Sequence, residues 1–433
     1  MAVPCRGRAG PSIDPPPAVD GQDGRRSLLT TRLQNEGDPR EHGEMMRAVR
    51  RTRRSGERTL GLVLSGGGAR GAFQVGVYER LLRDPRFAEG PVVLSGTSAG
   101  AINAALIAAG RSPREMMQFW NGIADDPPVV TSPLFFSSLL RTAFRLAIRE
   151  LPRWLEPSRS WVPFLQRARH HWPPQLGSPL AVAVEYLLTA RFELISHILE
   201  GIREPFVAST ARLRERLVQE FDGDVIPTSR HRLAINTVDA HSGRVVRYVT
   251  RHTPFTRPPD YVIVDHITVD MVLASASIPL LFPTVEIDGR WLWDGGLLVN
   301  TPLAPVVALG ADEIITVLVT EPPDGTGGQF PHFGRAVERT VDAILENAYN
   351  VDRKLLLDRN RLAALEGSPY REVTLYEAVR PPRDGSFNAG SYLYFERSVL
   401  DEMRAAGRRS ATKWLTAGPR ADRLETPAEG AAA

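Results

Sequence analysis

The sequence contains a single cysteine, Cys5, which excludes a disulfide within the chain and a metal site built from cysteines. It also lacks any apolar run of about 18 residues or more, the length that crosses a bilayer as a helix. The first 58 residues lack the apolar core of an export signal. We therefore expect a cytoplasmic protein that contacts membranes only peripherally.

Lysine is also rare, with only Lys354 and Lys413, so arginine carries nearly all of the positive charge. The formal net charge is +3, and residues 1–58 hold twelve arginines against eight acidic residues. This segment is rich in Pro, Gly and Arg without periodicity, and we predict that it is disordered. The nearly neutral remainder gives no reason to expect nucleic-acid binding. We predict one folded domain over residues 59–417 and a second disordered tail over residues 418–433.

A strand, a tight turn and a helix occur twice at the start of the predicted domain. The apolar run 60–65 and the helical pattern 72–82 form the first unit, and runs 92–95 and 101–109 form the second. This alternation predicts an α/β fold with a parallel sheet.

The segment 113–222 has mostly helical patterns interrupted by Pro and Trp, and we interpret it as a helical insertion or cap. The later part of the chain returns to mixed elements. We predict a hairpin over 233–250, strands over 314–319 and 372–379, and helices over 269–276, 336–365 and 397–415.

A glycine-rich loop follows the first predicted strand and consists of Gly66, Gly67, Gly68, Ala69, Arg70 and Gly71. The glycines allow backbone N–H groups to approach an anion, and the following helix N-terminus favours negative charge. The anion could be a transient oxyanion or a pyrophosphate, since the loop also fits G-x-G-x-x-G. The second alternative, a nucleotide-dependent oxidoreductase, requires an acidic residue about twenty positions later. Asp84 lies near that distance, although Asp84-Pro85 is typical of a turn.

Two further motifs supply candidate reacting groups. Gly96, Thr97, Ser98, Ala99 and Gly100 fit G-x-S-x-G, the sharp turn between strand and helix that exposes a nucleophilic serine. The alternative for Ser98 is a helix cap. Asp294 precedes Gly295 and Gly296 and could be a general base, or only the side chain of an Asx turn.

Together, the three motifs resemble the patatin-like phospholipase family, from about residue 60 to residue 415. The segments 274–279 and 294–312 and the hairpin around Gly243 also fit that family. The resemblance implies a fold of three layers, in which helices flank a mostly parallel central sheet. It also implies a serine hydrolase that cleaves lipid esters without a cofactor, by means of a catalytic dyad of Ser98 and Asp294. It assigns the glycine-rich loop as the oxyanion hole, with Gly67 and Gly68 as the most favoured donors. For Arg70 it leaves two roles open, to orient the loop or to counter negative charge nearby.

Several alternatives remain open from the sequence. His332 could complete a triad, with Asp265 or Asp270 replacing Asp294. The pair His170-His171 has no third ligand at helical spacing, so we predict no metal site there. The segment 134–151 is amphipathic, with arginines on one face, and could bind a membrane or simply pack on the domain. A lipid-binding scaffold without catalysis is a further hypothesis, and the oligomeric state is left open.

Overall fold

The computed structural model describes residues 58–126, 130–155, 192–228, 230–250, 260–322, 333–368, 370–383, 387 and 389–423. Most of the two predicted disordered tails lies outside these residues, as do His170, His171 and His332. In the described part of the chain, no helix is long and apolar enough to cross a membrane.

A parallel sheet forms the centre of the described structure. Its strands are β1 (Leu60–Leu64), β2 (Val93–Gly96), β5 (Arg232–Asp239), β10 (Glu313–Val317) and β11 (Thr374–Leu375). They lie in the order β11-β10-β1-β2-β5, and every neighbouring pair is parallel. The central strands are buried on both faces, which explains why they appear in the sequence as continuous apolar runs. The predicted α/β fold with a mostly parallel sheet is confirmed.

Antiparallel strands extend the sheet beyond β5. The predicted hairpin forms between β5 and β6 (Val245–Thr250), and β7 (Tyr261–Val264) pairs with β6 in parallel, so that both strands run opposite to β5. A second hairpin joins β8 (Val285–Ile287) to β9 (Arg290–Asp294), and β9 pairs with the last residues of β5. The last residue of β2 that pairs with β5 is Gly96, which lies opposite Ile235. The pairing of β5 with β9 begins two residues later, where Thr237 lies opposite Asp294. The end of β9 therefore lies directly ahead of the end of β2.

Helices cover both faces of the sheet and give the predicted three layers. Successive side chains of β1 point to opposite faces, so Leu62 and Leu64 join one apolar core while Val63 joins the other. The first core is covered by α1 (Gly71–Leu82), α2 (Ala99–Ala108), α3 (Pro113–Asp125) and α10 (Arg397–Thr416), and the second by α8 (Leu303–Ala308) and α9 (Phe333–Ala363).

The segment 113–222 is mostly helical where it is described. After α3 it contains α4 (Pro133–Leu155), α5 (Phe192–Gly201) and α6 (Ala211–Phe221). It also contains a feature that periodicity did not predict, a short antiparallel pair of β3 (Val130–Thr131) and β4 (Ala208–Ser209). The helix α7 (Val269–Ser275) follows the hairpin as predicted.

The strand predicted over 372–379 is interrupted. Continuous pairing covers only Thr374 and Leu375, and a bridge to β10 returns at Val379. The Tyr376 N–H donates to the Ile314 carbonyl oxygen, and the Val379 N–H donates to the Thr316 carbonyl oxygen. The donors are three residues apart and the acceptors only two, so this strand contains one extra residue. This extra residue is a β-bulge, which no alternation of apolar residues reveals.

Candidate active site

Ser98 occupies a strained turn between β2 and α2. Its φ of 55° and ψ of −125° lie in a region that non-glycine residues seldom adopt. The turn brings backbones together, because a Cβ added at Gly96 would lie 2.2 Å from the Gly100 carbonyl oxygen. Ser98 makes no capping hydrogen bond to α2, so the alternative role of a helix cap is not the one observed.

Asp294 lies at the end of β9 and forms a hydrogen bond with the Ser98 side chain. Its Oδ1 also accepts a hydrogen bond of 2.6 Å from the Gly296 N–H, so the Asx turn and the contact with serine coexist. Ser98 and Asp294 are 7% and 5% exposed. Burial raises the pKa of Asp294 to about 7 and outweighs the two hydrogen bonds, which act in the opposite direction.

A network of buried polar groups holds the two residues in place. The Ser98 N–H donates to Ser275 Oγ at 3.0 Å, and that hydroxyl donates to the Asn236 carbonyl oxygen at 2.6 Å. The side-chain amide of Asn236 donates in turn to the Gly96 carbonyl oxygen at 2.8 Å. The Asp294 N–H donates to the Ser277 carbonyl oxygen at 2.9 Å. Sequence reasoning did not assign roles to Ser275 or Asn236, and only the family pattern over 274–279 pointed to this region.

The glycine-rich loop lies beside Ser98. A Cβ added at Gly66 would lie 3.1 Å from Ser98 Cβ, and the Gly66 N–H donates to the Asn300 carbonyl oxygen. Gly68 begins a 3₁₀ helix, Gly68–Arg70, that leads directly into α1. Among the described residues, neither the Gly67 N–H nor the Gly68 N–H has a hydrogen-bond acceptor. These two donors are therefore unoccupied within the described structure, whereas that of Gly66 is occupied.

Arg70 is fully buried and binds groups in the C-terminal part of the chain. Its guanidinium donates to Ser391 Oγ, the Val319 carbonyl oxygen and the Phe387 carbonyl oxygen at 2.9–3.0 Å. It also stacks on the Tyr392 ring at 3.7 Å and lies 3.6 Å from Asp342, which accepts a hydrogen bond from the Tyr392 hydroxyl. Arg70 thus ties the glycine-rich loop to the 3₁₀ helix Ala389–Tyr392 and to α9.

The other acidic residues considered as alternatives have different surroundings, and His332 lies outside the described residues. Asp270 pairs with Arg214 at 2.7 Å, and Asp265 is exposed. Asp84 lies in the turn that precedes β2 and pairs with Arg86, whereas ribose recognition requires an acid that follows the second strand. The described residues contain no group of three or more His, Cys, Asp or Glu side chains that could hold a metal ion.

The geometry of a serine elbow, a buried aspartate and a glycine-rich loop agrees with the comparison with known families. A model described as patatin-like phospholipase matches residues 62–307, more than half of the chain. This chain belongs to the patatin-like phospholipase family. The resemblance seen in the sequence motifs is thereby confirmed, and the matched residues include the elbow, the aspartate and all of the glycine-rich loop.

Individual relatives of this patatin-like protein are distant or match only in part. A cGAMP-activated phospholipase of Pseudomonas aeruginosa is 34% identical over 95 residues, which are 22% of this chain and 27% of that protein. VipD of Legionella pneumophila is 17% identical, with a TM-score of 0.31, over 80% of this chain and 67% of VipD. The effector ExoU of Pseudomonas aeruginosa is 20% identical, with a TM-score of 0.32, over 83% of this chain and 53% of ExoU.

Proposed function

We propose that this protein is a serine acyl hydrolase that cleaves carboxylic ester bonds of phospholipids or related lipids. Membership in the patatin-like phospholipase family supports the reaction class. The observation that carries the proposal is the hydrogen bond between Ser98, held in a strained elbow, and the buried Asp294. An activated nucleophile requires a base within hydrogen-bond reach, and Asp294 meets that requirement.

The first half of the proposed reaction forms an acyl-enzyme. Asp294 accepts the hydroxyl proton of Ser98 while Ser98 Oγ attacks the ester carbonyl carbon. The N–H groups of Gly67 and Gly68 stabilise the resulting oxyanion, a role supported by their lack of acceptors among the described residues. The tetrahedral intermediate then collapses, the bond to the alcohol oxygen breaks, and that oxygen takes the proton from Asp294.

The second half releases the fatty acid. Asp294 accepts a proton from water, whose oxygen attacks the acyl carbon, and the same N–H groups stabilise the second oxyanion. The bond to Ser98 Oγ breaks and the serine recovers its proton. The pKa of about 7 leaves a large fraction of Asp294 ionised near neutral pH, so that it can act as a base.

A fluorophosphonate probe tests the proposed dyad. The parent protein is expected to be labelled at Ser98 and to release fatty acid from vesicles of phospholipid or neutral lipid, while Ser98→Ala and Asp294→Asn do neither. His332→Ala is expected to behave like the parent, and its inactivity would restore the histidine triad. A parent protein that is neither labelled nor active would contradict the hydrolase, and a biological effect that persists in Ser98→Ala would favour the non-catalytic scaffold.

A further inference from the structure

The helix α4 carries a row of exposed apolar side chains. Leu140, Phe144 and Ile148 recur at every fourth residue and are 70%, 67% and 54% exposed, and Phe136 extends the row by one turn. Residues four apart lie on one face of a helix, so these side chains form a continuous strip. An exposed apolar strip of this kind on a globular protein marks a surface that contacts another molecule.

This strip is not the face that α4 uses to pack within the protein. Packing occurs through Thr142, whose hydroxyl donates to the Gly201 carbonyl oxygen of α5 at 2.9 Å. The two helices are close there, because a Cβ added at Gly201 would lie 2.2 Å from the Thr142 side chain. Ser138, one turn earlier on the same face as Thr142, is buried. The apolar strip is therefore left facing solvent.

A row of arginines runs beside the apolar strip. Arg141, Arg145 and Arg149 each follow one residue after a member of the strip, and all three side chains are exposed. A helix with an apolar strip next to a row of basic residues is suited to the boundary between lipid headgroups and acyl chains. The apolar side chains insert there, and the guanidinium groups pair with anionic headgroups. The charge pattern thus indicates an anionic membrane surface rather than an apolar protein groove.

Hydrogen bonds connect the start of α4 to the segment beside the dyad. The Ser132 N–H, just before α4, donates to the Val207 carbonyl oxygen at 2.8 Å, and the Val207 N–H donates to the Leu280 carbonyl oxygen at 3.0 Å. Leu280 follows three residues after Ser277, which binds the Asp294 N–H. Leu280 is 75% exposed at a φ of 69°, a conformation that leucine seldom adopts. The chain thus presents an apolar side chain to solvent three residues after the backbone group that binds the Asp294 N–H.

We propose that these residues form a surface that docks the protein on an anionic phospholipid leaflet. We define this lipid-facing surface as Leu280, the apolar strip Phe136, Leu140, Phe144 and Ile148, and the arginines Arg141, Arg145 and Arg149. The inference rests on the proposed lipid acyl hydrolase function. It adds that the protein binds an anionic phospholipid leaflet while it acts on its lipid substrate. Docking through this surface would place an ester substrate near Ser98 without extraction of the lipid into water.

Vesicle flotation tests the surface in the full-length chain carrying Ser98→Ala, so that lipid is not consumed. The parent is expected to bind vesicles of phosphatidylcholine mixed with phosphatidylglycerol more tightly than vesicles of phosphatidylcholine alone. Arg141→Glu/Arg145→Glu/Arg149→Glu is expected to weaken binding to the anionic vesicles by at least about 100-fold, at about fivefold for each positive charge removed. Leu140→Asp/Phe144→Asp is expected to weaken binding to both kinds of vesicle by at least about 10-fold.

The matched control is Ile344→Asp/Leu355→Asp on α9, two apolar side chains that are 58% and 63% exposed outside the lipid-facing surface. This control is expected to bind like the parent, and thermal unfolding verifies that all variants fold. Unchanged vesicle binding by the α4 variants, or equal loss in the control, would overturn the proposal. Dissociation of a dimer by Leu140→Asp/Phe144→Asp, with vesicle binding retained, would instead assign the strip to self-association.

A separate measurement distinguishes failure of this proposal from failure of the hydrolase. The chain with Ser98 intact is assayed on a short-chain ester that is soluble in water, where no membrane is needed. Activity there, together with unaffected vesicle binding in the α4 variants, refutes only the lipid-facing surface. Absence of activity there, together with vesicle binding that depends on α4, refutes only the hydrolase.

Discussion

The Ser98 hydroxyl is hydrogen-bonded to the Asp294 carboxylate in a position where both side chains are almost excluded from solvent. The order of strand pairing brings the two residues together, because β9 pairs with β5 just beyond the residue at which the pairing of β2 with β5 ends. Burial makes the ionised form of Asp294 less favourable and raises its pKa to about 7. The burial of this one carboxyl group therefore links the proposed chemistry to both the pH dependence and the stability of the protein.

The first prediction concerns activity as a function of pH. If ionised Asp294 is the base, kcat/KM on a soluble ester should rise about 10-fold per pH unit well below pH 7 and level off above it. Asp294→Asn should retain only a small rate without this transition. A midpoint near pH 4, the usual range of an aspartate, would show that the carboxyl group is not buried as described.

The second prediction concerns how the free energy of unfolding changes with pH. Asp294 should lower this free energy as the pH rises, whereas an aspartate in a salt bridge raises it. Because the pKa of Asp294 is raised in the folded state, the unfolded chain releases this proton first as the pH rises from about 4 to about 7. Folding stability is thus lost across that window. Asp294→Asn should raise the free energy of unfolding, and the gain at pH 8 should exceed that at pH 5 by about 3 kcal/mol. Urea unfolding at both pH values measures it, and a destabilised variant at pH 8 would refute the burial argument.

The third prediction concerns Gly68, where two constraints coincide. Its φ is 55°, and an added Cβ would lie 2.0 Å from the Tyr392 carbonyl oxygen. Gly68→Ala should therefore displace the loop and lower kcat by about 10²–10³-fold, the usual effect of losing one oxyanion donor. Gly243→Ala is the control, because Gly243 has a φ of 64° but open space around the added Cβ. Equal loss of activity in both variants would mean that backbone strain, not the position of the loop, is responsible.

The fourth prediction concerns Ser275, which links the Ser98 N–H to the Asn236 carbonyl oxygen. Ser275→Ala leaves both buried groups without this partner, at a cost of about 1–3 kcal/mol in stability. It should also lower kcat more than it changes KM, because the elbow loses its support. Ser277→Ala is the matched control, since the Ser277 hydroxyl donates to the Leu273 carbonyl oxygen within the adjacent helix. Steady-state kinetics that affect both variants equally would argue against a specific role for Ser275.

The sequence identified the groups proposed to react but not the groups that support them. The glycine-rich loop, the elbow of Ser98 and the turn of Asp294 are short motifs whose geometry is encoded within a few residues. Ser275 and Asn236 could not be assigned, because a buried serine or asparagine gives no local pattern. Their role depends on the pairing of β9 with β5, which is a contact between distant segments.

The elements of the fold that were predicted also differ from those that were missed in whether their signal is local. Continuous apolar runs predicted β1, β2 and β10 because parallel strands buried on both faces need no alternation. The pair of β3 and β4 was not predicted, since two-residue strands contain too few positions for a period to appear. The hydrogen bonds that hold Arg70 in place could not be predicted either, because its partners Val319, Phe387 and Ser391 are distant from it in the sequence.

The last prediction concerns Arg70, which we expect to position the glycine-rich loop rather than to contact substrate. Its planar guanidinium donates to three separate acceptors and stacks on Tyr392, an arrangement that a lysine cannot reproduce. Arg70→Lys should therefore lower kcat by roughly 10-fold or more with little change in KM, and should reduce stability by about 1–3 kcal/mol.

The control for this substitution is Arg80→Lys, on the helix α1 that follows Arg70, where the arginine donates to Thr412 at the surface. Both variants are assayed well below their unfolding temperatures, and the rate of fluorophosphonate labelling is measured beside kcat. A loop displaced by the loss of Arg70 should slow labelling in Arg70→Lys alone, because the probe also forms a charged oxygen at the oxyanion donors. Normal labelling with reduced stability would mean that Arg70 supports the fold but does not determine the position of Gly67 and Gly68.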